Sequence, residues 1–106
     1  MAQFTVHRNR NAATKSRFPL LLDVQTDLLS GLGTRVVLPL TLASTEARRA
    51  TMKTLTPILK VQGKDFVAIT PQLAGILTRN LGEPVADLSD QRPAILDALD
   101  LLFSEI

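Results

Sequence analysis

The chain has 106 residues, 45% of them hydrophobic, which suits one compact domain over residues 1–106 with a modest core and argues against disorder. It has no cysteine, tryptophan or tyrosine and a single histidine. That composition excludes a disulfide framework, a thiol nucleophile, a zinc-finger pattern and a histidine-based metal cluster, and it leaves almost no stacking platform for single-stranded nucleic acid.

The net charge of +2 is unevenly placed: residues 1–64 carry ten Lys/Arg against three Asp/Glu, and residues 65–106 carry two against seven. The two halves either attract each other within the fold or present a bipolar surface that steers a partner. The opening MAQFTVHRNR lacks the apolar run of a signal peptide, and no stretch reaches the roughly 18 apolar residues of a membrane span. A soluble, cytoplasmic protein without membrane contact is the expectation.

Phe4 and Val6 alternate with Gln3, Thr5 and His7, which predicts a half-buried strand over Gln3–His7 with His7 on its polar side. Arg8–Arg17, rich in Asn and Ala, reads as a loop. Phe18–Val24 predicts a second strand with Pro19 at its start or on an edge. Arg35–Leu40 predicts a third, in which Pro39, having no amide to donate, implies an edge or a strand end. The link between these strands, about ten residues, is too wide for a tight hairpin and turns at Gly31 and Gly33. It leaves Leu28 and Leu29 in a loop, where a leucine pair either plugs one end of a barrel or forms part of an exposed binding patch.

Thr41–Thr56 reads as a surface excursion; a short helix over Ser44–Met52 would have only Ala43, Ala47, Ala50 and Met52 as its apolar face. Pro57–Val61 and Asp65–Thr70 flank QGK and predict a hairpin with Gly63 in the turn. Leu73–Leu77 and Val85–Leu88 predict two more short strands, with Asn80–Gly82 turning the chain between them. From about residue 90 to 106 the pattern is helical, with Ser89 or Asp90 as cap and Pro93 in the first turn. Ile95, Leu99, Leu102 and Ile106 form one stripe at about 100° per residue, widened by Leu96, Phe103 and Ala98. Asp97, Asp100 and Ser104 line the opposite side, and Leu101 falls near it as a candidate partner contact. The sum is a mostly-β fold, a partly closed barrel or strongly bent antiparallel sheet, with a C-terminal helix over a face or an open end.

No nucleotide-binding, metalloprotease, calcium-loop or serine-hydrolase motif is present. Asp23 and Asp27, four apart with Gln25 between them, are either paired carboxylates for acid/base or Mg²⁺ chemistry or, for Asp27, a turn residue accepting backbone amides. With no third ligand in sight, neither an enzyme nor a cofactor or small-molecule substrate is expected. A protein that acts by binding another protein is.

QFTVH at Gln3–His7, DVQTDLL at Asp23–Leu29, TRVVLPL at Thr34–Leu40, LGEPVADLS at Leu81–Ser89 and the terminal LLFSEI together resemble, in order and along essentially the whole chain, the CcdB-type toxins of bacterial toxin–antitoxin pairs. The resemblance is weakest over Arg8–Arg17 and Thr41–Thr56. It implies a small SH3-like barrel with a C-terminal helix, assembled as a symmetric homodimer. It further implies a toxin that binds the A subunit of DNA gyrase and traps the enzyme on cleaved DNA, neutralised by the disordered C-terminal segment of a cognate antitoxin. The resemblance also implies that the pair represses its own operon, so that operator DNA is met only through the antitoxin complex.

Carried over by position, the gyrase-facing residues implied are Leu28, Leu29, Asp100, Phe103, Ser104, Glu105 and Ile106. Asp100 stands where the best-known member has asparagine, and Ser104-Glu105 where it has Trp-Gly. Loss of such an aromatic anchor costs about 2 kcal/mol or more. Arg48, Arg49 and Lys53, in the basic half, are the candidate contacts for an acidic antitoxin segment. Two other readings stand beside this one. An endoribonuclease toxin of the same superfamily would have an RPV-like run where this chain reads NRNAATKSRFPLLL. A non-toxic antitoxin-binding protein would have lost gyrase binding.

Overall fold

The computed structural model describes residues 2–104 and shows seven strands and two helices: β1 (Thr5–Asn9), β2 (Leu20–Asp23), β3 (Thr34–Leu42), α1 (Thr45–Arg49), β4 (Ile58–Val61), β5 (Lys64–Ala68), β6 (Ala74–Leu77), β7 (Leu81–Asp87) and α2 (Arg92–Phe103). All pairings are antiparallel, in the order β4-β5-β3-β2-β1-β7, with β6 also paired to β3. The sheet is strongly curled into a half-barrel, so the expected mostly-β, SH3-like fold with a C-terminal helix is what forms.

Curling gives the sheet an inside and an outside, both partly covered. Inside, Val6, Leu20, Leu22, Leu38, Leu40, Leu59, Phe66 and Ile95 join in the main core, with Leu96 and Leu99 of α2 against it. Outside, Leu21, Val37 and Leu81 form a smaller cluster with Ile76. All four residues of β2 are therefore buried, and a run of leucines suits a strand covered on both faces.

His7 was expected on the polar side and is instead 2% exposed, because β1 lies between β2 and β7 and its outer face is covered as well. Its Nδ1 lies 3.1 Å from the Gly82 carbonyl, which can only accept, so that nitrogen carries the proton.

Pro39 is neither at an edge nor at a strand end. The first half of β3 pairs with β6 through Val37↔Ala74, the last part pairs with β5 from Leu40↔Ala68, and Pro39 sits at the fork between them. Its missing amide falls where the neighbours divide, and its carbonyl accepts from the Ile69 amide at 2.9 Å.

The β4–β5 hairpin turns on Gln62 and Gly63, both at positive φ (51° and 81°), as a two-residue turn matched to strand twist requires. The expected excursion starts later than Thr41, since Thr41 and Leu42 belong to β3 and pair with β5, and Thr56 is buried. Within it Ser44 caps α1, one short helical turn, through a 3.1 Å bond from the Ala47 amide to its hydroxyl.

β7 is longer than predicted and includes Leu81 and Gly82; the chain turns earlier, through a 3-10 turn at Thr78–Asn80. Neither Ser89 nor Asp90 caps α2 with its side chain, since a 3-10 turn (Ser89–Gln91) precedes the helix. Asp87 holds that turn, accepting from the Ser89 amide at 2.8 Å and from its hydroxyl. Gln91 then docks the start of α2 on β4, donating to the Lys60 carbonyl and accepting from the Lys60 amide (2.7 and 2.9 Å). The helix ends at Phe103 rather than 106, and Ile106 lies outside the described residues.

Candidate protein-binding site

Leu28 and Leu29 occupy a 3-10 turn, Asp27–Leu32, between β2 and β3, and Gly33 in the left-handed conformation (φ 75°) returns the chain to β3. Leu28 is 92% exposed and Leu29 and Leu32 are exposed too, so the pair does not plug the barrel. Three exposed leucines in six residues have no role in the core; they form an apolar patch on the surface.

Beneath them lies a polar network that composition conceals. Arg35, 1% exposed, donates from Nε to Asp23 Oδ2 at 2.7 Å and from Nη2 to the Gln25 carbonyl at 3.1 Å. Its Nη2 also lies 3.5 Å from Asp27 Oδ1. Asp23 and Asp27 are thus brought together, but around a guanidinium, and a cation held there leaves no carboxylate pair for acid/base work or for a metal. Asp27 does accept a backbone amide, but that of Gln3 at 2.8 Å, 24 residues away, so it ties the turn to the N-terminal segment, while Thr26 caps the turn itself. Among the described residues, no group of three or more His, Asp or Glu could hold a metal ion.

At the other end of the chain α2 presents Leu101, Phe103 and Ser104 to solvent, with Phe103 71% exposed and Asp100 exposed one turn earlier. Ile95 and Ala98 carry the burial of the helix, so Phe103 lies beyond the core stripe. The Ser104 amide closes the helix on the Asp100 carbonyl at 2.7 Å. No hydrogen bond or ion pair joins the 27–32 turn to the end of α2 among the described residues. Glu105, like Ile106, lies outside them.

The three cations suggested for an acidic partner are all exposed, but they differ. Arg48 is already engaged, by Asp65 at 3.0 Å and the Ala43 carbonyl at 3.2 Å. Arg49 and Lys53 form no ion pair among the described residues. Asp65 also receives Lys60 at 3.4 Å, and hydrogen bonds from Arg48 and then Lys60 hold its carboxyl below the ordinary range. With Arg8–Glu83 at 2.7 Å, these pairs join the basic half of the chain to the acidic half, so part of the charge asymmetry is used inside the fold.

The outer face holds a feature that residue spacing did not reveal. A cavity of about 570 Å³ opens over a floor of Phe18, Leu21, Val37 and Ile76, with Arg10 and Arg79 among its rim residues. The apolar character of Leu21 and Val37 was visible in the sequence. That both strand faces would be lined with apolar residues, one of them under a cavity, depended on the curl.

The whole set is an exposed leucine turn on a buried arginine network, an exposed helix end and a cation-rimmed apolar hollow, and it suits contact with other proteins. No helix among the described residues is long and apolar enough to cross a membrane. Residues 3–104 match the family model described as CcdB protein. Members of that family act by protein–protein poisoning rather than by catalysis. The chain belongs to the CcdB family of toxins.

Proposed function

We propose that this protein is the toxin of a type II toxin–antitoxin pair, which binds the A subunit of DNA gyrase and traps the gyrase–DNA cleavage complex so that replication stalls. The observation that carries this reading is the exposure of Leu28, Leu29 and Phe103, positions that the family resemblance assigns to the gyrase-facing surface and that do nothing for the core. Asp100 and Ser104 flank Phe103 on the same helix end, and Glu105 and Ile106 complete the surface in sequence. The protein works as a homodimer in the cytoplasm.

Neutralisation falls to a disordered acidic antitoxin segment. Arg49, Lys53 and the rim arginines of the outer cavity offer cations to its carboxylates, and the cavity floor takes one of its apolar side chains. Operator DNA is reached only through that complex.

Supercoiling and cleavage assays with purified gyrase, run beside an RNA digestion assay, test the proposal. Accumulation of cleaved DNA that the antitoxin reverses supports it. RNA cleavage would move the protein to the endoribonuclease reading. Antitoxin binding with neither activity would leave a non-toxic antitoxin-binding protein.

A further inference from the structure

The Gln25 side chain joins the exposed leucine turn to the sheet. Gln25 is 8% exposed. Its Oε1 accepts from the Val36 amide of β3 at 3.2 Å, which fixes which end of the carboxamide faces the strand. Its Nε2 is thereby aimed at the turn and donates to the Leu29 carbonyl at 3.1 Å. The backbone of Gln25 is held from both sides, its amide by Asp23 Oδ1 at 3.0 Å and its carbonyl by Arg35 Nη2 at 3.1 Å. The turn is otherwise tied near its start. Asp27 Oδ1 accepts from the Gln3 amide at 2.8 Å and lies 3.5 Å from Arg35 Nη2, while Thr26 receives the Leu28 amide on its hydroxyl (3.4 Å) and the Leu29 amide on its carbonyl (3.1 Å). No side chain of the turn is buried, and Gln25 is the side chain that reaches its middle, at Leu29.

We propose that Gln25 is a positioning residue: it holds the Leu28–Leu29 turn in its binding shape before the partner arrives, and so sets the partner's affinity without touching it. An apolar pair on a free loop would lose conformational entropy on docking, whereas a turn already fixed by a buried carboxamide does not lose it again. The inference rests on the reading of these leucines as the gyrase-facing surface.

Gln25→Glu preserves shape and the acceptor for Val36 but cannot donate to Leu29 when ionised. Gln25→Met, of similar length, removes both bonds and serves if the buried carboxylate impairs folding. Hydrogen exchange at the Leu28 and Leu29 amides reports the turn directly, and titration with the dimerisation region of gyrase A reports binding. In both variants exchange at these amides should be about tenfold faster and gyrase binding about tenfold weaker, with antitoxin binding unchanged. Gly31→Ala, whose Cβ would meet nothing within 4 Å, stiffens the turn and should restore part of the binding, about two- to fivefold.

Unchanged exchange in both variants would overturn the proposal. So would faster exchange with undiminished gyrase binding, where Leu28→Ala does weaken it. If the unmodified protein does not bind gyrase at all, the functional reading fails, and the exchange arm alone then decides the role of Gln25.

Discussion

Arg35 and Asp23 face each other at 2.7 Å with both side chains sealed from water. A buried pair of this kind is weak support for stability as a whole, but removing one partner strands the other charge and costs about 3–5 kcal/mol. Arg35→Met should therefore shift urea unfolding by about that amount, and adding Asp23→Leu should recover part of it. A single variant as stable as the parent would mean that water reaches the site.

Gly82 permits a close approach of β7 to its neighbour β1 at the irregularity in their pairing: a Cβ there would lie 2.5 Å from the Arg8 carbonyl oxygen and 3.1 Å from Arg10 Cγ. Gly82→Ala should cost about 1–3 kcal/mol, as overpacking does. At Gly75, where an added Cβ meets nothing within 4 Å, the same change should leave the melting temperature nearly unmoved.

The Asp65 carboxyl is depressed below its ordinary value of 3.8 by hydrogen bonds from Arg48 and then Lys60. The folded state therefore favours the ionised form. Its contribution is complete above pH 3.8 and is lost as the pH falls through the depressed folded value. Asp87 follows the same sign, with the Ser89 hydroxyl and then its amide as causes. Acid titration by NMR should show the Thr45–Arg49 helix loosening in that window. Asp65→Asn should remove the pH dependence at α1 while Asp87 continues to titrate.

Phe103 is exposed and Ser104 cannot stack, so the two ends of the proposed gyrase contact can be separated. Phe103→Asp should leave stability within about 0.5 kcal/mol and abolish gyrase binding. Ser104→Trp with Glu105→Gly should tighten binding by about 2 kcal/mol, near thirtyfold. No gain from the second change would mean that this tip fits a different target.

A homodimer is expected at micromolar concentration, with Leu101 as one candidate contact. Sedimentation equilibrium should give twice 11.6 kDa; a mass of 11.6 kDa throughout would refute the assembly.

The strands, the hairpin at Gly63 and the terminal helix were legible because each has a local signature: β-branched runs, a glycine turn or a 3.6-residue period. The ambiguities followed the same logic. Whether Leu28 and Leu29 plug or protrude is decided by tertiary packing, and the periodicity of a turn is silent on it. Alternation misplaces His7 because it assumes one wet face, and the outer face of β1 is covered at His7. Nothing local marks Arg35 as buried: an arginine beside Val36 and Val37 reads as a strand's solvent-side residue, and its partners lie 12 and 8 residues away. The spacing Asp23-Gln25-Asp27 was the available signal; it suggested paired acids, and the third charge that completes the network came from the next strand.

Pro39 has a consequence for fidelity of assembly. β5 and β6 compete for the same edge of β3, and a residue without an amide stands between their two territories. A slip of β6 by one position towards β5 would bring its backbone against Pro39 and rotate Ile76 out of the outer cavity, exchanging it for Gly75 or Leu77. The proline thus works as a boundary marker: two chain segments can add to one strand edge, each in a single alignment, and neither can invade the other's place.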